Sequence, residues 1–349
     1  MMSRRRSSRT TLNDIATQAG VSVTTVSRVL GDPSKPHRVS SDVVARIQQI
    51  ATELDYSPNL LVRSMQHGRT YTITFFNGFR ARGEDDLYMD KLSTAVEQAC
   101  GRMGYDTLIS CVFERSAEDT YRIINGGRCD GLLLFAPPPN DPLFPYLRSS
   151  RLPTVLINKT DPLGKISAVR DDYVSGLSQV ADRLVAFGHR RIALLTSVPA
   201  WNEDATNRGT MVRQFLAEKG VSVPDNYFLN VNDPRYGGVE GALSYLMSQS
   251  PRPTAVFCWH DRLGYEVLEH CERMGIRVPD QLSVIGYDGL CWPARTPHVL
   301  ASVRVDLTAL ATKAVALLDS IATGVHTGVT EIVLPVSIIP GTTLTHRPE

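Results

Sequence analysis

From Tyr71 onward, short apolar runs alternate with stretches of helical periodicity, and this alternation limits the possible folds more than any other feature. The apolar runs are TITFF, DTLIS, GLLLFA, TVLIN, RIALLTS, TAVFCW and LSVIGYD, and the helical stretches lie at 88–103, 173–187, 207–219, 237–248 and 262–274. Apolar runs that alternate with helices are typical of βαβ units in a parallel sheet. Seven such strands over about 220 residues predict an α/β fold of two doubly wound halves, with a ligand in the crevice at the carboxyl ends of the strands.

The segment before Tyr71 has the pattern of three short helices. One apolar stripe consists of Leu12, Ile15, Ala16 and Ala19, and a second of Val26, Val29 and Leu30. Between them, Gly20 ends the first helix and Ser22 stands at the N-cap of the next, which predicts a helix-turn-helix. A third helix opens at Val39–Ser40, and its inward residues are Val43, Val44, Ile47, Ile50, Ala51 and Leu54. Together the three helices supply one small core.

The second helix also carries an unusual set of polar side chains. These are Ser22, Thr24, Thr25, Ser27 and Arg28. In the major groove of DNA an arginine can bond bidentately to guanine, and a threonine can offer its methyl group to thymine. The alternative is a solvated helix with a capping serine.

Charge is unevenly distributed, although the formal net charge of the chain is only +1. Residues 1–70 hold ten Lys/Arg against five Asp/Glu, and the other residues hold 27 against 31. A segment of net +5 therefore precedes a body of net −4. This asymmetry indicates a polyanionic partner for the amino-terminal segment and favours DNA binding over the solvated-helix alternative.

The sequence lacks the patterns of export, membrane insertion and catalysis. No apolar region follows the basic opening MMSRRRSSRT, and no apolar run of about 18 residues occurs, so we expect a cytoplasmic protein with no membrane partner. Six cysteines never approach CxxC spacing, which predicts buried free thiols. The chain also lacks a P-loop, GxGxxG, GxSxG and paired His/Cys spacing, so we expect no cofactor, no metal and no enzymatic activity.

The stretch TLNDIATQAGVSVTTVSRVLG resembles the DNA-binding domain of the LacI family of bacterial transcription regulators. The similarity continues through Val39–Ser40, Leu54, Tyr56, Pro58, Asn59, Arg63 and Ser64. The remainder resembles the effector domain of that family, which is shaped like periplasmic sugar-binding proteins. The similar segments are CDGLLL (129–134), LPTVLIN, GHRRIALL (188–195), PTAVFCWHD (253–261) and VPDQLSVIGYD (278–288).

The resemblance implies a division of the chain into four parts. They are a disordered basic tail at 1–10, the helix-turn-helix domain at 11–57, a hinge helix and linker at 58–70, and an effector-binding and dimerisation domain at 71–349. Within the last part we expect one subdomain at about 71–168 plus 301–332 and another at about 169–300 plus 333–349.

The resemblance also implies which residues contact DNA. Val23 and Thr24 would meet base edges, with Arg28 reaching a base further along. Backbone contacts are expected from Leu12, Ser22, Thr25, Ser27, Ser40, Tyr56 and Asn59. Met65 occupies the position from which the hinge helix presses an apolar wedge into the minor groove. The alternative for Met65 is an apolar residue that covers the top of the effector domain.

In the effector domain, Arg208 and Asp288 correspond to the two most constant ligand-binding charges of the family. Such a pair holds adjacent hydroxyls or the polar edge of a ring, unless it is only a structural ion pair. Asp261, His260 and Trp292 also correspond to effector positions, while Trp201 and Trp259 are weaker candidates for a stacking wall. The effector is expected to be a sugar or sugar derivative, with a nucleobase or nucleoside as the second candidate.

The main hypothesis is therefore a homodimeric transcription regulator, expected to be a repressor, that reads a palindromic operator in double-stranded DNA. A small molecule in the cleft would change its operator affinity, with induction and corepression both open. The alternatives are a solute-binding protein of the same fold with no role in DNA binding, and an enzyme on a doubly wound fold.

Overall fold

A computed structural model describes residues 10–31, 39–57, 68–78, 86–110, 115–197 and 203–347, with the backbone alone for residues 203–206. The predicted basic tail, nearly all of the predicted hinge with Asn59 and Met65, and Trp201 lie outside the described residues. The chain forms two compact units. One is made of Met1–Tyr71 with Gly127–Cys129, and the other of Thr72–Gly126 with Asp130–Glu349.

The first unit contains the three predicted helices, α1 (Leu12–Ala19), α2 (Val23–Gly31) and α3 (Ser41–Glu53). Helix α1 begins with a reciprocal capping box between Thr11 and Asp14 and ends at Gly20, whose φ of 64° favours glycine. Their shared core consists of Ile15, Ala16, Ala19, Val26, Val29, Ile47, Ile50 and Ala51. The predicted helix-turn-helix, its stripes and its third helix are thus confirmed.

The second unit alternates strands and helices. Its first half contains β1 (Thr72–Asn77), α4 (Leu87–Arg102), β2 (Asp106–Ser110), α5 (Ala117–Ile124), β3 (Gly131–Phe135), α6 (Phe144–Ser149), β4 (Thr154–Ile157), β5 (Ser167–Asp171) and α7 (Tyr173–Ala186). Next come β6 (Ile192–Thr196), α8 (Glu203–Glu218), β7 (Phe228–Asn230), α9 (Val239–Ser248), β8 (Ala255–Cys258), α10 (Asp261–Met274) and β9 (Ser283–Asp288). The last elements are β10 (Ala301–Arg304), α11 (Leu307–Ala322), β11 (Glu331–Leu334) and β12 (Ser337–Ile339).

These strands form two sheets, which confirms the predicted fold of two doubly wound α/β halves. The first has the order β11-β5-β4-β3-β1-β2, with every neighbouring pair parallel. The second has the order β12-β10-β9-β8-β6-β7 and is parallel except where β12 runs antiparallel to β10. All seven predicted strands are present, and central ones such as β3 are buried along their whole length. Buried parallel strands read as unbroken apolar runs, which is why they were visible in the sequence.

The predicted subdomain boundaries differ from the sheets. Residues 301–304 were expected in the first half, but β10 pairs with β9 in the second sheet. The first sheet extends to Asp171 and to Leu334, beyond the expected limits of 168 and 332. The physical reason is that β5, β10 and β11 are short strands of mixed polarity, SAVRD, ASVR and EIVL, which leave no long apolar run.

The cysteines mostly follow the prediction of buried free thiols. Cys100, Cys129, Cys258 and Cys271 are free and buried, and Cys111 lies outside the described residues. Cys291 is free but exposed, so the prediction was wrong for this residue, which lies in a loop after β9 rather than in a packed element. Among the helices in the described ranges, none is long and apolar enough to cross a membrane.

Candidate functional site

Helix α2 of the first unit presents the side chains expected to read bases. Val26 and Val29 are buried in the core, whereas Val23, Thr24 and Arg28 are exposed. Val23 is 41% exposed, so its methyl groups are accessible on the helix surface. An exposed valine, threonine and arginine on one helix can meet a thymine methyl group and the polar edges of bases.

The residues expected to contact the DNA backbone lie around the ends of the helices. Ser22 caps α2, since its Oγ accepts from the backbone N–H of Thr25 at 3.2 Å and lies 2.9 Å from the Thr25 hydroxyl. Ser40 is the exposed N-cap residue of α3 but makes no side-chain cap bond. Leu12, Ser27 and Tyr56 are half-buried, and Leu12 and Tyr56 pack against the helical core. Helix amino termini with free N–H groups are suited to phosphate.

A cavity of about 590 Å³ lies in the second unit. Its lining residues follow the carboxyl ends of strands in both sheets, among them Ala136 after β3, Asn158 after β4, Asp171 at the end of β5, Trp259 and His260 after β8, and Asp288 at the end of β9. Helices contribute Tyr88, Met89, Tyr173, Asn207, Arg208, Thr210 and Met211. The crevice expected at the carboxyl ends of the strands is therefore present. Its volume suits a small ligand.

Arg208 and Asp288, which the family resemblance singled out, lie together in this cavity. Nη1 of Arg208 lies 3.5 Å from Oδ1 of Asp288 and donates to the carbonyl of Trp259 at 3.1 Å. The guanidinium also stacks over the ring of Tyr287, 4.3 Å from its centroid. Although burial disfavours its charge, Asp288 and the other groups nearby keep the pKa of Arg208 above its usual range. Burial raises the pKa of Asp288 to about 7, and Arg208 opposes that rise.

Asn158 is a cavity residue that the sequence analysis missed. Its Nδ2 donates to the hydroxyl of Tyr88 at 2.6 Å. Its Oδ1 is buried and has no hydrogen-bond partner within the described part of the chain. A buried polar atom without a partner is costly, so such an acceptor indicates a donor supplied by a ligand.

Asp171 and Tyr287 were missed as well, and they connect the two sheets. The hydroxyl of Tyr287, on β9, donates to Oδ2 of Asp171, at the end of β5, at 3.0 Å. Burial and the adjacent carboxylate raise the pKa of Tyr287, so the phenol remains the donor. Only their positions in the chain could have indicated a role in the cavity. Asp171 is the last residue of β5, and Tyr287 lies next to the last residue of β9.

Backbone strain is concentrated in the cavity. Asp288 has a φ of 117°, Asn158 of 60° and Ala136 of 44°, although none of them is glycine. A side chain in this region of φ costs about 1–3 kcal/mol, and such residues cluster at functional sites. All three follow or end a strand whose carboxyl end faces the ligand space.

His260 lines the cavity, but both of its ring nitrogens already have partners. Nδ1 accepts from the backbone N–H of Leu263 at 2.9 Å and caps α10, while Nε2 lies 3.3 Å from the Ser197 hydroxyl. Burial lowers the pKa of His260 to about 3, so the imidazole is neutral. The same Ser197 hydroxyl accepts from Nε1 of Trp259 at 2.9 Å. His260 therefore helps to fix the position of Trp259, which forms the cavity wall.

Asp261 and Trp292 are not among the residues that line the cavity, and their contact with the effector stays a prediction. Asp261 is 1% exposed, and its carboxylate accepts from the backbone N–H of Leu290 and from the hydroxyl of Ser302. It therefore ties the loop after β9 to β10. Trp292 is half-buried against the core and lies under the guanidinium of Arg262, whose Cζ is 5.6 Å from the ring centroid.

Comparisons with known proteins agree with this arrangement. Residues 11–59 match the model for bacterial regulatory proteins of the lacI family, and residues 181–344 match the model for a periplasmic binding protein-like domain. The chain is 30% identical to the ribose operon repressor of Escherichia coli (strain K12) over 284 residues, which cover 80% of this chain and 83% of that protein.

Solved structures show the same fold. The structure of the lac repressor dimer bound to operator and the anti-inducer ONPF is 21% identical, with a TM-score of 0.81, and the match covers 97% of this chain and 99% of that one. The transcriptional regulator CelR in complex with cellobiose is 25% identical, with a TM-score of 0.68, and the match covers 96% and 100% of the two chains.

The fold and the sites define a DNA-binding transcription regulator with a small-molecule effector domain. The chain belongs to the lacI family of bacterial regulatory proteins. This membership places it among transcription regulators rather than among enzymes, and the match at 11–59 removes the alternative of a solute-binding protein without a DNA-binding domain.

Proposed function

We propose that the chain is a homodimeric repressor that reads a palindromic operator and changes its operator affinity when a sugar or sugar derivative binds the cavity of the second unit. The observation that carries the proposal is the Arg208–Asp288 pair in a cavity with aromatic walls. The names of two relatives support it, one a ribose operon repressor and one a regulator in complex with cellobiose.

Sugar chemistry suits the lining of the cavity. A guanidinium and a carboxylate 3.5 Å apart can donate to and accept from vicinal hydroxyls. Asn158 Oδ1 is a further acceptor for a hydroxyl. Tyr88, Tyr173 and Trp259 offer flat apolar surface to the C–H face of a ring. Because the same aromatic rings also suit a nucleobase, nucleosides belong in the binding test.

On DNA, we propose that the base readers are Val23, Thr24 and Arg28. The residues proposed to contact the DNA backbone are Leu12, Ser22, Thr25, Ser27, Ser40, Tyr56 and Asn59. The segment at 58–70 would then be the hinge, with Met65 as its minor-groove wedge. Two copies are needed because a palindromic site has two-fold symmetry, as in the lac repressor dimer. Since the target is chromosomal DNA, the proposed compartment is the cytoplasm.

Pull-down of fragments of the genome that encodes the chain, followed by sequencing, tests this function. The purified chain is used alone and with pooled sugars or pooled nucleosides. We expect one palindromic site whose recovery falls in the sugar pool if the effector is an inducer, or rises if it is a corepressor. The same site responding to nucleosides alone would replace the sugar by a nucleoside. No enriched site under any condition would contradict the proposed operator binding.

A further inference from the structure

A second cavity, of about 360 Å³, lies at the opposite end of the second sheet from the effector cavity. It is bordered by the residues that precede β6 and by the turns that precede β7 and β8. Its charged residues are Arg190 and Arg191, and polar side chains come from Ser222, Asn226 and Ser250. Since strand β6 runs from Ile192 to Thr196, five residues separate this cavity from Ser197 beside the effector cavity.

The guanidinium groups of Arg190 and Arg191 use only some of their N–H donors in hydrogen bonds within the chain. Arg190 uses Nη1 to bond the carbonyls of Val185 and His189, at 3.0 and 3.1 Å. Arg191 uses Nε to bond the carbonyl of Arg252 at 2.9 Å. Each guanidinium has five N–H donors, so both side chains are held in place while most of their donors remain available.

Positive charge accumulates around this cavity without an acidic partner. In the described ranges, no carboxylate lies within 4.0 Å of the guanidinium of Arg190, Arg191, Arg252 or Arg347. Asp225, which lies between the lining residues Pro224 and Asn226, pairs with Arg213 at 2.7 Å. The backbone N–H of Arg347 donates to the carbonyl of Phe187 at 2.8 Å, so Arg347 lies beside the segment that leads to Arg190 and Arg191. Burial and the charge of Arg191 lower the pKa of Arg347.

This concentration of cations contrasts with the rest of the unit. Residues 71–349 hold 27 Lys/Arg against 31 Asp/Glu, so cations are in the minority there. Unpaired like charges destabilise a fold, and an anion between them removes that cost. Guanidinium forks match the oxygens of phosphate bidentately.

We propose that this cavity is a second ligand site that binds a phosphate group, either inorganic phosphate or the phosphate of a small metabolite, through Arg190 and Arg191. The hydroxyls of Ser222 and Ser250 and the amide of Asn226 supply further donors at its rim. The site is separate from the Arg208–Asp288 pair and lies at the opposite end of the second sheet from it.

Isothermal titration of the full chain with inorganic phosphate and with glycerol 3-phosphate, at constant ionic strength, tests the proposal. The double variant Arg190→Gln/Arg191→Gln should bind both probes about tenfold more weakly than the wild type. The matched control Arg273→Gln/Arg277→Gln removes the same charge from helix α10 and the loop after it, and should stay within about twofold. If the double variant fails to fold, Arg190→Gln alone, at an exposed side chain, should still weaken binding about threefold.

The two probes identify the source of the phosphate. Tighter binding of glycerol 3-phosphate indicates a phosphorylated metabolite, and equal binding indicates the free ion. The proposal would be wrong if neither phosphate showed saturable binding. It would also be wrong if the double variant and its control lost equal affinity for the phosphates. Loss in Arg208→Ala with retention in the double variant would place the anion in the effector cavity instead. Tighter binding of a hexaglutamate peptide than of either phosphate would also overturn it, in favour of an acidic protein segment.

Discussion

Nη1 of Arg208, from helix α8, and Oδ1 of Asp288, at the end of β9, lie 3.5 Å apart, and the backbone of Asp288 has a φ of 117°. Burial raises the pKa of Asp288 to about 7 even with the guanidinium beside it. In the free protein this carboxyl therefore changes charge close to neutral pH.

Effector affinity should consequently depend on pH. A hydroxyl that donates to the ionised carboxylate requires Asp288 to lose its proton, so we expect affinity to fall about tenfold from about pH 8 to about pH 6. Titration calorimetry at several pH values with the identified effector measures this. Asp288→Asn, which cannot ionise, should bind weakly with no such slope. Parallel pH curves for the two proteins would contradict the role of Asp288.

Asn158 gives a second prediction because its Oδ1 is buried without a partner. Asn158→Gly removes the amide but tolerates the φ of 60° at this position. We expect effector affinity to fall about tenfold, with the free energy of unfolding within about 1 kcal/mol of the wild type. Calorimetry and urea unfolding measure the two quantities. A large loss of stability with unchanged affinity would make Asn158 a structural residue instead.

The sequence predicted the helices and strands better than it predicted the side-chain contacts in the cavity. The helix-turn-helix followed from stripes such as Ile15, Ala19 and Val26, because helical periodicity is local. Arg208 and Asp288 were found only through a family resemblance. Asn158 and Asp171 were missed because each is an ordinary polar residue at the end of a strand. The role of such a residue depends on which strand ends are its neighbours in space. The order of strands in the sheets determines those neighbours.

Asp261 shows how a family pattern and a structural role can differ. Its position in the family pattern suggested a ligand contact, yet it is buried and bonds Leu290 and Ser302. A sequence motif shows where a residue stands in the chain. The hydrogen-bond partners of that residue depend on the conformation of nearby loops, such as the segment after β9. His260 has both kinds of role, since it lines the cavity and its side chain also caps helix α10.

For DNA recognition the decisive residue is Arg28, which is exposed on α2. We expect Arg28→Ala to weaken specific operator binding by about 1–3 kcal/mol because a bidentate base contact is lost. Nonspecific binding should change little. Arg46→Ala, which removes an equally exposed arginine from α3, serves as the matched control and should affect specific and nonspecific DNA alike. Gel-shift titrations on operator and scrambled DNA distinguish the two patterns.

His189 leads to a prediction about stability. It is 2% exposed, its Nε2 donates to the carbonyl of Thr345 at 3.1 Å, and its Nδ1 lies 3.0 Å from the Thr254 hydroxyl. These bonds join the carboxyl-terminal segment to the start of β8. Burial lowers the pKa of His189 to about 4, so the folded protein holds this imidazole neutral.

The unfolded chain protonates the same side chain near its usual pKa of about 6.5. The stabilising contribution of neutral His189 is therefore fully present above about pH 6.5 and is lost as the pH falls towards 4, by up to about 3 kcal/mol. We expect His189→Asn to be less stable than the wild type at neutral pH, and the gap to narrow steadily at lower pH. Urea unfolding of both proteins between about pH 7.5 and pH 4.5 measures the gap, and a gap that stays constant would mean that His189 has the same pKa in the folded and unfolded states.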